Sequence, residues 1–387
     1  MTRTLTALAV SAALLIAACG DDATTSDTTP AGPGSTPAEV STADTVTPTT
    51  GEPPASTPDA GDPGDASFPV TIEHKYGETT IAAEPQRIVS VGFGEHDGLL
   101  ALGVVPIAVR DWYGEQPFAT WPWAQDELGD AEPVVLASDE ANFEQIAALR
   151  PDLILGISSG MTGEQYETLS QIAPTVAQPG EYIDYGTPWD VSLEITGRAV
   201  GKVAEAEAVI ADTKALFADA IAEHPEFEGA TAAVAFYFDG LPGAYGSEDI
   251  RSRTLRDLGF VIPEEIDELA GDAFFVSISA EDLSLLDTDV LIWIGSGAES
   301  FEAIRDIPTR PVLDAFQEGR EVVADDLLAG AFSHASPLSL EFVIEQLVPE
   351  LALALDGDPA TPVPSATIIG TADAMTSGAP DDTAAGP

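Results

Sequence analysis

The sequence predicts two α/β lobes, each with a central, mostly parallel sheet, joined by a single long backbone helix. Three observations carry this. From Phe68 onward short apolar runs alternate with helical stretches, in two sets. A helix–strand unit occurs twice: "EQIAALRPDLILGISSG" (144–160) returns as "EDLSLLDTDVLIWIGSG" (281–297). Between the two sets lies one uninterrupted amphipathic stretch, 203–225.

The chain opens with "MTRTLTALAVSAALLIAAC", a basic residue and an apolar run of signal-peptide length before small residues and a cysteine. The run is short for a membrane span, which takes about 20 apolar residues. "IAAC" resembles the lipobox of bacterial lipoproteins, which makes 1–18 the signal peptide and Cys19 the lipidated residue; a plain secretory signal is the other reading. Cys19 is the single cysteine, so the mature chain has no internal disulfide. The segment 19–67 is rich in Thr, Pro, Gly, Ser and Asp and nearly free of large apolar side chains. It cannot bury enough surface to offset its chain entropy and is expected to be a disordered tether, with a mean reach of roughly 40 Å. The tail 357–387 has the same low-complexity character and is expected to be loose.

In the N-terminal lobe, 68–202, the strand candidates are 87–92, 104–110, 133–137 and 152–158. In the C-terminal lobe, 226–356, they are 231–238, 274–279, 289–295 and 321–326. Runs this apolar, separated by helices, belong to parallel sheets covered on both faces. In the linking stretch Val203, Ala206, Ile210, Phe217, Ala220 and Ile221 share one helix face and Pro225 ends it. Such a helix spans roughly 30 Å and serves as a strut between lobes, or else packs on one of them.

The formal net charge is −52, from 66 acidic against 14 basic residues, which argues against nucleic acid and anionic lipid surfaces as partners. It fits a body working where salt screens self-repulsion.

Few stretches carry chemistry. "SVGFGEHDG" (90–98) sits between a strand and a helix, but Gly92, Gly94 and Gly98 are spaced one residue too far for a dinucleotide loop. Gly92 and Gly94 instead let a turn pass close to a cleft, with His96 or Asp97 capping the helix. No nucleophile-elbow, phosphate-loop or H-E-x-x-H motif occurs. The four histidines, His74, His96, His224 and His334, lie in separate segments, unlike a zinc site. His334, in "GAFSHASP" (330–337), reads as a loop histidine that is either solvated or in contact with a ligand or its iron.

The stretch "RDWYGEQPFATWPW" (110–123) gathers Trp112, Tyr113, Phe118, Trp121 and Trp123 directly after a strand. Loops at the carboxyl ends of parallel strands are where open α/β sheets bind ligands, and a bulky ligand or a local mini-core would each account for these rings. "FYFDGLPGAYGS" (236–247) and "FF" (274–275) offer a second aromatic set, and Arg251 and Arg253 supply rare positive charge, for an anionic ligand or for surface ion pairs. The acids Glu144 and Glu281 head the repeated unit, each two residues after a capping residue, Asn142 or Ser279. Both are placed in a first helical turn, where they favour the dipole by about 0.3–1 kcal/mol or stand exposed for a two-fold-symmetric partner.

"PQRIVSVG", "ALGVVPIAV", "NFEQIAALRPDLILG", "LRDLGF", "SAEDLSLLDTDVLIWIG" and "SHASPLSL", with the lipobox and tether, resemble substrate-binding proteins of iron–siderophore ABC importers, from about residue 70 to 355. The resemblance implies the class III periplasmic-binding-protein fold, with ligand in the cleft between lobes and little closure about the stiff helix. It implies no cofactor and no catalysis, and a monomer lipid-anchored outside the cell membrane. The cargo is a ferric siderophore and the partner a dimeric ABC permease, whose arginines receive Glu144 and Glu281. Ligand contacts carried over are Trp112, Tyr113, Tyr245, Arg251, Arg253, Phe275, Phe332, Ser333 and His334; Trp121 and Trp123 join them from the aromatic loop. A haem or cobalamin receptor uses the same frame. An enzyme on that frame would need a nucleophile–base pair, and none stands out.

Overall fold

The computed structural model describes residues 68–138 and 142–371. The expected signal peptide, Cys19, the tether and the last part of the tail lie outside these residues. Among the described residues there are twelve strands, β1 (Val70–His74), β2 (Gly77–Ile81), β3 (Ile88–Ser90), β4 (Ala108–Arg110), β5 (Val134–Leu136), β6 (Leu153–Gly156), β7 (Thr175–Ala177), β8 (Ala232–Phe238), β9 (Leu241–Tyr245), β10 (Phe275–Ser277), β11 (Val290–Ile294) and β12 (Glu321–Ala324). Each of the eight apolar runs holds one of them. The sequence reading passed over β1, β2, β7 and β9: the first two alternate buried and exposed residues in a hairpin, β7 has three residues, and β9 carries Pro242 and Gly243.

In the N-terminal lobe the order is β5-β4-β3-β6-β7, all parallel. In the C-terminal lobe the order is β10-β9-β8-β11-β12, with only β9 running against its neighbours. Val89, Leu153, Ile154, Val290, Leu291, Ile292 and Trp293 are buried, as expected for strands covered on both faces. The helix between the sheets runs Val203–Glu223 and buries Ala206, Thr213, Phe217 and Ala220, with Val203, Ile210 and Ile221 half-buried beside them. The last helix, Pro337–Ala354, packs on this helix, on the N-lobe helix His96–Ala101 and on helix Asp326–His334, so it serves both lobes.

The repeated unit is a repeat of the strand and only in part of the helix. In the first copy Asn142 accepts from the Gln145 amide and caps helix Phe143–Leu149. In the second, Ser279 accepts from the Glu281 amide and Asp282 from the Ser284 amide, leaving a turn and the short 3₁₀ piece Ser284–Leu286. Glu281 therefore stands in a turn and not in an α-helix. Short polar side chains there bind the backbone donors that a helix would use. The matched aspartates keep one job. Asp152 accepts from the Gln86 and Arg87 amides at 2.9 and 2.8 Å, just before β3. Asp289 accepts from the Thr231 amide and hydroxyl at 2.8 and 2.7 Å, just before β8.

The tail expected to be loose from residue 357 on is packed through part of its length. Val363, Ala366 and Ile369 are buried, and Arg310, buried with Glu321, donates to the carbonyls of Ile369 and Gly370. Three apolar residues at three-residue spacing, Val363, Ala366 and Ile369, escaped a reading based on composition. Among the described residues no helix is long and apolar enough to cross a membrane.

Candidate functional site

The carboxyl ends of β3, β4 and β6 face those of β8, β11 and β12 across a cleft, the position in which open parallel sheets hold ligands. Two adjoining cavities of about 230 and 440 Å³ share Trp112, Arg251, Phe274 and Ser333 in their walls. Their volumes are in the range of small-molecule sites.

An aromatic wall runs across both lobes. Phe93, from the loop after β3, stacks on Trp112 with centroids 5.3 Å apart and lies 6.1 Å from Tyr185. Tyr185 meets Phe274 of the other lobe edge-on at 6.3 Å, and Phe274, Phe275 and Phe236 continue the wall. Tyr185 has φ of 66°, a left-handed conformation rare outside glycine. Its ring lies where a Cβ on Gly160 would stand, 2.2 Å from the phenol oxygen, so Gly160 makes the room. Gly94 does the same for His334: its φ is 68° and a Cβ there would come within 2.6 Å of the imidazole.

The cleft's cation is Arg251, which is 9% exposed and lines both cavities. Its Nη1 donates to both oxygens of Asp249 at 3.0 and 2.9 Å, its Nε donates to the Ser333 hydroxyl at 3.1 Å, and its guanidinium stacks 4.1 Å over the Tyr245 ring. Burial raises the phenols of Tyr113 and Tyr245, so both remain neutral hydroxyls.

His334 is not a loop residue. It ends helix Asp326–His334, capped by Ala335 in the left-handed region, and it is buried among Trp112, Trp121 and Trp123 at 5.2, 5.6 and 5.2 Å. Nδ1 lies 2.9 Å from the Gly330 carbonyl, which can only accept, so Nδ1 carries the proton. Desolvation pushes the imidazole down to about 4, so it is neutral in ordinary conditions. The helix that holds it begins at a true cap, Asp325 accepting from the Leu328 amide.

Among the other expected contacts, Trp112, Tyr113, Tyr245, Phe275 and Ser333 stand with Arg251 and His334 in the walls. Trp121, Trp123, Phe332 and Arg253 do not. Trp121 is wedged between Gly114 and Gly330, where a Cβ would lie 2.5 and 2.6 Å from its ring, and stacks on Trp123. Trp123 donates to Asp97 at 2.8 Å, and Asp97 accepts also from Ser336, the cap of the last helix. These tryptophans are the mini-core that pins helix Asp326–His334 behind the cleft. Phe332, one residue from Ser333 and so turned about 100° from it around the helix, packs in the C-lobe core. Arg253 pairs with Glu248 in a separate groove beside the linking helix.

Among the wall residues the sequence reading did not nominate are Phe93, Glu95, Tyr185, Thr187, Trp189 and Asp249. Phe93 has a signal, an aromatic between two glycines after a strand. "EYIDYGTPWD" (181–190) is aromatic-rich but has no period to place it. Glu95, to which the sequence reading gave no role, is buried, and its carboxylate accepts from Ser90, Gly92 and Ser158, tying the loops after β3 and β6; burial raises its pKa. His96 and Asp97 lie inside the helix rather than capping it.

Glu144 and Glu281 are both exposed, away from the cleft walls. No three His, Cys, Asp or Glu side chains of the described residues come together as a metal-binding group.

Residues 88–326 match the family described as periplasmic binding protein. The probable siderophore-binding lipoprotein YfiY of Bacillus subtilis (strain 168) is 31% identical over 239 residues, 59% of this chain and 70% of that protein. The ferric-anguibactin-binding protein FatB of Vibrio anguillarum is 28% identical over 308 residues, 72% of this chain and 87% of its own. A periplasmic solute binding protein from Mycobacterium smegmatis superposes with a TM-score of 0.66 at 38% identity, covering 76% of this chain and 100% of that one. PiaA of Streptococcus pneumoniae TIGR4, in complex with ferrichrome, superposes with a TM-score of 0.64 at 29% identity, covering 74% and 99%.

Proposed function

The chain belongs to the periplasmic binding protein family, and from that premise we propose that it captures a ferric siderophore outside the cytoplasm and delivers it to an ABC importer. The observation that carries the reading is the two-lobed cleft with an aromatic wall from Phe93 to Phe275 and a single buried guanidinium, Arg251. Rings of this kind cover the apolar body of a chelate, while Arg251, Ser333 and His334 offer polar contacts. The site residues are therefore Trp112, Tyr113, Tyr245, Arg251, Phe275, Ser333 and His334, with Phe93, Tyr185, Trp189 and Phe274 added. A chelate brings its own iron ligands, so rings and hydrogen-bonding groups are what the cleft has to supply.

Relatives named for ferric siderophores favour this cargo over haem or cobalamin. The role is capture and release, with Glu144 and Glu281 as the docking acids for a dimeric permease and Cys19 as the lipid anchor. Tryptophan fluorescence of residues 68–371 tests the binding, since Trp112 and Trp189 line the cleft. Saturable quenching by a ferric siderophore, and none by its iron-free form, is the expected result. Saturation by haem or cobalamin alone would replace the cargo.

A further inference from the structure

The charge in the cleft walls carries the reading further. Four ionisable acids, bases and imidazoles line the two cavities: Glu95, Asp249, Arg251 and His334. Among the described residues Arg251 is the sole cation in these walls, and Asp249 faces it at 2.9 Å. His334 is neutral, because desolvation holds its imidazole down to about 4. Glu95 is either anionic or neutral and in neither state adds positive charge. The other guanidinium nearby, Arg110, lies 4.1 Å behind the Phe93 ring and donates to the Ser138 carbonyl; it lines neither cavity. The walls thus carry no net positive charge, within a chain whose formal charge is −52.

Siderophores sort by charge at the iron. Three hydroxamates, each a monoanion, leave Fe(III) neutral; three catecholates, each a dianion, leave a trianion, and citrate complexes are also anionic. An anionic chelate entering this cleft would lose water without gaining a counter-charge, and would approach through a repelling field. A neutral chelate meets rings and hydrogen-bonding groups instead. One of these is the buried hydroxyl of Thr187 in the cavity wall, which has no partner among the described residues.

Resting on the ferric-siderophore reading, we propose that the cleft selects complexes with no net negative charge, of the trishydroxamate class, over tris-catecholate and citrate complexes.

The test is calorimetric titration of the full-length mature protein with the ferric complexes of desferrioxamine B, enterobactin and citrate, at low and at high NaCl. The hydroxamate complex is expected to bind at least tenfold more tightly than either anion at low salt, with the gap narrowing as salt rises. Asp249→Asn, which leaves Arg251 without its counter-charge, is expected to narrow the gap about tenfold; the wild-type comparison stands even if that variant fails to fold. Equal or tighter binding of an anionic complex overturns the selection and leaves siderophore capture intact. Silence toward all three, with the fold verified by circular dichroism, overturns both.

Discussion

His334 ends its helix against three tryptophans, and that placement has a consequence for acid stability. Burial holds its imidazole down to about 4, against an ordinary 6.5. Between these values the unfolded chain takes up a proton that the folded protein refuses, so stability is full above about pH 6.5 and falls as the pH drops toward 4. His334→Asn keeps a donor for the Gly330 carbonyl and removes the titration. Urea unfolding at about pH 7 and about pH 4.5 should show the variant losing less stability on acidification than wild type, by on the order of 2–3 kcal/mol. An equal loss in both would place the titration elsewhere. The two neighbours of His334 show how finely direction matters. Ser333 faces Arg251 in the cleft and Phe332 fills the core, although both belong to the same short motif.

At the level of elements, the duplicated helix–strand unit preserves what each sheet needs. Asp152 and Asp289 staple the strand that follows them to the first strand in chain order of their five-stranded sheet, and the hydrogen bonds from Thr231 hold the Asp289 carboxyl below its usual range. Asp289→Ala is expected to cost about 1 kcal/mol, since it removes two hydrogen bonds to Thr231 that lie within reach of water. Asp152→Ala should cost a similar amount, measured by chemical denaturation with siderophore affinity nearly unchanged. Loss of affinity without loss of stability would show that the staples act on the cleft instead. The helical half of the unit was free to drift. "EQIAAL" is made of strong helix formers, whereas "EDLSLL" places Asp282 and Ser284 where their side chains and backbone bind one another.

For the whole molecule, the two acids that head the repeated unit sit one per lobe and both are exposed. If they dock to a dimeric permease, Glu144→Arg and Glu281→Arg should each reduce siderophore-dependent iron uptake at least tenfold while leaving binding affinity within about twofold. Unchanged uptake in the double variant would leave them as turn and cap residues. Charge acts at this scale too. Raising NaCl from about 0.01 to about 1 M shortens the Debye length from about 30 to about 3 Å, and should raise the melting temperature by several degrees. A flat response would mean that the acids are spaced widely enough to ignore one another.

Apolar period and punctuation were enough to place eight strands, the linking helix and the two-lobed frame, because buried sheets and amphipathic helices write their burial into consecutive residues. The same signal passed over β9, where Pro242 and Gly243 interrupt the pattern, and the packed segment 363–370, whose apolar residues are too few to stand out. The cleft was legible only in part. Trp112, Tyr113, Tyr245, Arg251, Phe275, Ser333 and His334 could be nominated, since aromatics and rare cations in strand-end loops are visible one at a time. The pairing of Arg251 with Asp249, the removal of Trp121 and Trp123 into a supporting core, and the bridge from Tyr185 to Phe274 were not visible. Each depends on which way a side chain turns and on which distant residue it meets, and only the packing of one lobe against the other decides that.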